Sequence, residues 1–167
     1  MLGLQGKVAF VFGVASEDSI AWAICKSLAE AGVTLYLGYQ KRFMSRVFQL
    51  KDKLPAIAGF YPLDVASDAD TKEFFDAFSK DNPGLKADIM IHAIGFAPRE
   101  CFDRPILFVD DESINTAYTI SANSLQRCLK FALPYLNPGS STITLTYAAS
   151  TRHVPSYGIM SMAKAAL

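Results

Sequence analysis

Short apolar runs rich in β-branched and aromatic residues alternate with longer stretches of helical spacing, and this alternation constrains the fold more than any single motif. The runs cover residues 8–12, 33–37, 57–61, 88–93 and 142–147. Near-continuous apolar runs of this length suit strands buried on both faces. Helical spacing covers 20–31, 44–54, 68–80 and a long stretch at 111–135, and a last helix should begin near Tyr157. Gly32 stands where a helix C-terminus wants a left-handed residue, and Ser67 stands as an N-cap ahead of acidic residues. Pro134 and the Asn137-Pro138-Gly139 turn should close the long helix. Strand–helix–strand repeated in this way predicts an α/β fold: a doubly wound parallel sheet of about five strands in the order 3-2-1-4-5. A ligand is expected where the strand order reverses.

The chain has 167 residues, enough for one domain over 1–167 with a sizeable core. Sixteen basic residues balance sixteen acidic ones, so the footprint of a nucleic-acid binder is lacking. No apolar run is long enough for a membrane-spanning helix. The three cysteines, Cys25, Cys101 and Cys128, form no zinc or redox spacing, which suits a reducing cytoplasm. No His, Cys and Asp set has metal-ligand spacing.

The first strand runs into Gly13-Val14-Ala15-Ser16-Glu17-Asp18-Ser19-Ile20-Ala21. This is not G-x-G-x-x-G, but a strand, a small-residue turn and a helix are the right context for a phosphate. Gly13 would allow the sharp turn, and Ser19 would offer a hydroxyl and an N–H. Alternatively, Ser19 or Asp18 is only an N-cap. At the end of the second strand Gln40 can bond a ribose hydroxyl, and Lys41 and Arg42 could meet a 2′-phosphate or simply be solvated. No acidic residue stands there, and the reading favours NADH, with NADPH open. Asp64 could accept from an adenine amino group or cap the next helix. Gly95 would let the backbone approach the nicotinamide side.

Tyr147, Tyr157 and Lys164 follow the fifth strand. Tyr157 and Lys164 are seven residues apart, about two helical turns, which puts them on one face. A phenol beside an ammonium suits stabilisation of a developing oxyanion.

These residues resemble the NADH-type enoyl-acyl-carrier-protein reductases, a divergent branch of the short-chain dehydrogenase/reductase superfamily with a Rossmann-like fold. Most of that superfamily has Tyr-x3-Lys, but here Ser161 stands four residues after Tyr157. The divergent Tyr-x-x-Met-x-x-x-Lys pattern is met by Tyr157, Met160 and Lys164. The glycine turn through Ser19-Ile20-Ala21, Asp64-Val65, the stretch Ile91-His92-Ala93-Ile94-Gly95-Phe96-Ala97-Pro98, and Leu136-Asn137-Pro138-Gly139-Ser140 fit the same family. The resemblance implies NAD(P)H-dependent reduction of a trans-2-enoyl thioester carried on acyl carrier protein, in the last reductive step of fatty-acid elongation. It implies that Tyr157 stabilises the enolate, that Lys164 binds the nicotinamide ribose and supports that geometry, and that Tyr147 takes part in catalysis and lines the acyl site with Tyr157 and Ala97. Gly13, Ser19, Ile20, Gln40, Asp64, Val65, Ile94 and Gly95, together with Lys164, would hold the cofactor. It also implies a homotetramer in the cytoplasm. Members of the family run on for about another third of their length, so the chain is expected to be C-terminally incomplete, to lack the family's last two strands, and to be of uncertain competence.

Other features have simpler readings. His92 is expected in the core and His153 in a loop. Asp110-Asp111-Glu112 reads as an acidic helix start, Phe74, Phe75 and Phe78 as a packed face, and Met160 also suits a core. Two alternatives to the enoyl reductase remain: another short-chain reductase acting on a carbonyl, and a nucleotide-binding domain without catalysis.

Overall fold

The computed structural model describes residues 3–167. Among these, five parallel strands form one sheet in the order β3-β2-β1-β4-β5. They are β1 (Val8–Phe12), β2 (Thr34–Tyr39), β3 (Ile57–Pro62), β4 (Ala87–His92) and β5 (Leu136–Thr144). Helix α1 (Ile20–Glu30) follows β1, α2 (Met44–Gln49) follows β2, and α3 (Asp68–Asp81) follows β3. Between β4 and β5 lie α4 (Glu100–Asp103), α5 (Asp111–Tyr118) and α6 (Ser124–Ala132), and α7 (Gly158–Ala166) comes last. None of these helices is long and apolar enough to cross a membrane.

Period-two alternation splits β1 between two cores. Phe10 and Phe12 face the side covered by α3 and α6, where they pack with Phe74, Phe75, Phe78, Met90 and Cys128. Ala9 and Val11 face the α1 side with Trp22, Cys25, Leu35 and Leu37. The predicted phenylalanine face of α3 is thus a core face: Phe10 meets Phe78 edge-on at a centroid distance of 4.8 Å. A third, smaller cluster joins α7 to α4 and α5 through Ile159, Met160, Cys101 and Ala117.

Capping follows the sequence closely. Ser67 Oγ accepts from Asp70 N at 3.1 Å, and Asp110 Oδ1 accepts from Ser113 N at 2.8 Å. Helix α2 is shorter than the expected 44–54, ending at Gln49 ahead of a separate 3-10 turn over Lys51–Lys53, and two further elements differ from expectation. The 111–135 helix is interrupted by a π-helical turn over Thr119–Asn123. Two serines account for it: Ser124 Oγ donates to the Ile120 carbonyl at 2.6 Å, and Ser121 Oγ turns away to the backbone of Phe96. Side-chain hydroxyls inserted into a helical ladder distort it in this way. The second difference is β5, which starts at Leu136 rather than at 142 and contains the Asn137-Pro138-Gly139 turn as an irregularity. Proline cannot donate to a ladder, and Asn137 Nδ2 anchors the excursion to Asp88 Oδ1 at 3.1 Å.

Candidate functional site

The carboxyl ends of β1 to β4 converge on a cavity of ≈ 350 Å³, at the point where the strand order reverses. Gly13 sets its floor. With φ at +106°, a Cβ added there would lie 2.1 Å from the Ala93 carbonyl oxygen. Only a residue without a side chain lets the β1 and β4 exits approach this closely. Gly13, Gln40, Val65, Ile94 and Gly95, all expected from the sequence, line the cavity.

The remaining cofactor candidates lie at or beyond its rim. Ser19 directs its hydroxyl to the Ser16 carbonyl at 2.8 Å and its N–H to the same oxygen at 3.2 Å, while Trp22 N donates to Ser19 Oγ. Ser19 is therefore the α1 N-cap, and reaching a phosphate requires release of the Ser16 bonds. Ile20 is exposed on the first turn of α1. Asp64 accepts from Ala66 N at 2.9 Å and borders a second, adjoining hollow with Lys41, Arg42 and Asp70.

Arg42 has a larger part in the site than the sequence suggested. Its guanidinium lies 4.8 Å from the centroid of Phe43 and 5.4 Å from that of Phe96, so it spans from the β2 exit to the β4 exit across the cavity. The two aromatic residues gave no local signal, because their pairing is made by the sheet. Ile120 also lines the cavity, delivered there by the π turn.

Beside the cavity, Lys164 is buried on α7. Its Nζ donates to the Ile94 carbonyl at 2.8 Å and to the Leu145 carbonyl at 3.0 Å, and burial lowers its pKa. Lys164 packs against Gly95: a Cβ there would meet its Cε at 3.3 Å. Tyr157 is the α7 N-cap, entered through Ser156 in the left-handed region at φ +63°. A non-glycine residue held there stores strain, a feature that clusters at functional sites. The rings of Tyr147 and Tyr157 are 5.3 Å apart, both about one-third exposed. Burial and the neighbouring Tyr157 raise the Tyr147 phenol above its usual range. Phe102 closes on the other side of Tyr157 at 5.1 Å, and Ala97 is buried in the adjacent cluster.

His92 is fully buried at the end of β4. Its Nε2 lies 2.8 Å from Ser124 Oγ and its Nδ1 3.0 Å from Thr144 Oγ1. Ser124 gives its proton to Ile120, so it accepts from His92, which places the imidazole proton on Nε2. Burial, with a smaller contribution from Lys164, lowers the His92 pKa to about 4. The ring is thus a neutral core bridge between β4, β5 and α6. Among the described residues no group of three or more metal-ligating side chains could hold an ion.

A family model described as enoyl-(acyl carrier protein) reductase matches residues 13–167. The NADH-type enoyl-acyl-carrier-protein reductase of Enterococcus faecalis is 36% identical over 98% of this chain and 64% of its own length. That of Synechocystis is 37% identical over 100% of this chain and 65% of its own. The Aquifex aeolicus crystal structure of the NADH enzyme superposes with a TM-score of 0.90 at 33% identity, covering 98% of this chain and 65% of that one. The Bacillus cereus enzyme, solved with NADP+ and an indole naphthyridinone, gives 0.92 at 32% identity, covering 98% and 63%. The chain thus spans a little under two thirds of the length of these relatives.

Proposed function

The chain belongs to the enoyl-(acyl carrier protein) reductase family, and on that premise we propose that it reduces the trans-2 double bond of enoyl thioesters on acyl carrier protein, using NADH. The observation that carries this reading is the bond from Lys164 to Ile94: it joins the helix that begins at Tyr157 to the loop that lines the cavity at the strand switch. Residues 1–167 act here as one dinucleotide-binding domain. A cytoplasmic homotetramer acting in fatty-acid elongation accords with the reading.

The cavity at the strand switch is where a nicotinamide dinucleotide would lie, because its lining brings Gly13, Gln40, Val65, Ile94 and Gly95 together. Gly13, Gln40, Asp64, Val65, Ile94 and Gly95 would hold it, with Ser19 and Ile20 at the phosphate end. When bound, the cofactor supplies a hydride. Tyr157 places its phenolic O–H at the thioester oxygen and stabilises the negative charge that gathers there. Tyr147 and Ala97 wall the acyl side. Lys164 holds the Ile94 and Leu145 carbonyls and directs its third N–H to a ribose hydroxyl.

The test is loss of NADH absorbance with a short trans-2-enoyl thioester. Steady consumption that Tyr157→Phe abolishes supports the reaction. Consumption with a ketone but not with the enoyl thioester would favour a carbonyl reductase, and NADH binding without turnover of either would favour a non-catalytic domain.

A further inference from the structure

Ser161 Oγ is the one buried side-chain oxygen or nitrogen without a hydrogen-bond partner among the described residues. A serine inside a helix ordinarily returns its hydroxyl proton to the carbonyl four residues back. Here that carbonyl belongs to Tyr157 and accepts only the Ser161 backbone N–H, at 2.6 Å. Leaving a buried hydroxyl unpaired is unfavourable, so its presence calls for a partner at work. One turn of helix separates Ser161 from Tyr157, whose ring lies 5.3 Å from that of Tyr147. The exit of β5 is held against α7 by Thr146 Oγ1, which donates to the Lys164 carbonyl at 3.0 Å, so Tyr147 is brought to this face of the helix.

We propose that Ser161 is a positioning residue for Tyr147: its hydroxyl donates to the Tyr147 phenolic oxygen and fixes the ring against Tyr157. This rests on the enoyl-reductase reading for its purpose. With its oxygen accepting from Ser161, Tyr147 keeps its own proton free to point into the acyl site, beside the Tyr157 hydroxyl. Burial first, and then the neighbouring Tyr157, disfavour the Tyr147 phenolate, whereas a donor from Ser161 favours it. Lys164 is the charged residue on the same helix, and its ammonium is committed to the Ile94 and Leu145 carbonyls.

The experiment follows the ring-carbon NMR signal of Tyr147 against pH in the full chain labelled at tyrosine Cζ, assigned through Tyr147→Phe. Ser161→Ala should move the Tyr147 titration to higher pH, and Ser161→Thr, which keeps the hydroxyl, should restore it. If Ser161→Ala does not fold by circular dichroism, Ser161→Cys takes its place, because a thiol is a poor donor and should also raise the midpoint. An unchanged midpoint in the folded hydroxyl-free or thiol variant overturns the proposal. So does a Ser161→Thr chain that titrates like Ser161→Ala. This titration needs neither cofactor nor substrate, so absence of enoyl reduction would leave it standing while removing its purpose.

Discussion

Lys164 Nζ and the Ile94 carbonyl oxygen are 2.8 Å apart, and the same ammonium reaches the Leu145 carbonyl at 3.0 Å. One buried cation thereby fastens α7 to the exits of both β4 and β5. Replacing Lys164 with Met keeps much of the packing and leaves both carbonyls without this donor. The expected loss is about 2–4 kcal/mol of folding stability, read as a lower urea midpoint, because hydrogen bonds to charged groups are worth more than neutral ones. NADH affinity should fall as well; a Lys164→Met chain that binds NADH as tightly as the parent would count against the ribose role.

Tyr157→Phe removes one hydroxyl and little volume. If that hydroxyl stabilises the enolate, turnover should drop by about 10²-fold, with a much smaller change in the NADH dissociation constant. A large rise in that constant with turnover unchanged would contradict the assignment. Steady-state kinetics and fluorescence titration of NADH separate the two.

Gly13→Ala should be among the most damaging small substitutions. The new Cβ would enter a position 2.1 Å from the Ala93 carbonyl oxygen, at a φ of +106° that side chains avoid. Neither side can yield cheaply, because the obstacle is backbone of β4's exit. A loss of about 2 kcal/mol or more is expected in denaturant unfolding, together with weakened NADH binding.

The pH dependence of stability should carry the signature of His92. Its pKa falls from an ordinary 6.5 to about 4 on folding, so between these values the unfolded chain binds more protons. The stabilisation is complete above pH 6.5 and is lost as pH falls towards 4, amounting to about 3 kcal/mol for a shift of this size. His92→Gln should flatten the stability profile in that window. A profile equally steep in the variant would assign the effect to other groups, although the carboxylates with lowered pKa values, Asp68, Asp88 and Asp110, act below pH 3.8.

Arg42 touches the choice between NADH and NADPH. Stacked between Phe43 and Phe96, its guanidinium is held at the border of the hollow that adjoins Gln40 and Asp64. Arg42→Gln should weaken NADPH about tenfold by removing a charge-assisted contact to a 2′-phosphate, with NADH changed by less. Equal losses for both cofactors would instead make Arg42 a clamp on the part they share.

The strand order was legible before any coordinates, because buried parallel strands need continuous apolar runs and crossovers need helices between them. The Gly13 turn, the Ser67 cap, the acidic helix start at Asp110-Asp111-Glu112 and the Phe74-Phe75-Phe78 face were legible as well: each is a local rule acting over a few residues. The start of the last helix at Tyr157, with Lys164 in its last turn, was legible from the sequence pattern.

Tertiary structure decided which side chains meet partners distant in the chain. Arg42 finds Phe96 across the sheet, and neither residue announces the other. The helix expected to run unbroken over 111–135 yields at Thr119–Asn123 because the Phe96 backbone draws Ser121 away. The bonds from Lys164 to the Ile94 and Leu145 carbonyls, which tie α7 to two strand exits, had no signal in the spacing. Ser19, read as either a phosphate donor or an N-cap, is the cap and spends both of its donors on Ser16. Local propensity and period are written in short stretches of sequence; the competition for a hydrogen bond is settled only when the folded chain brings the competitors together.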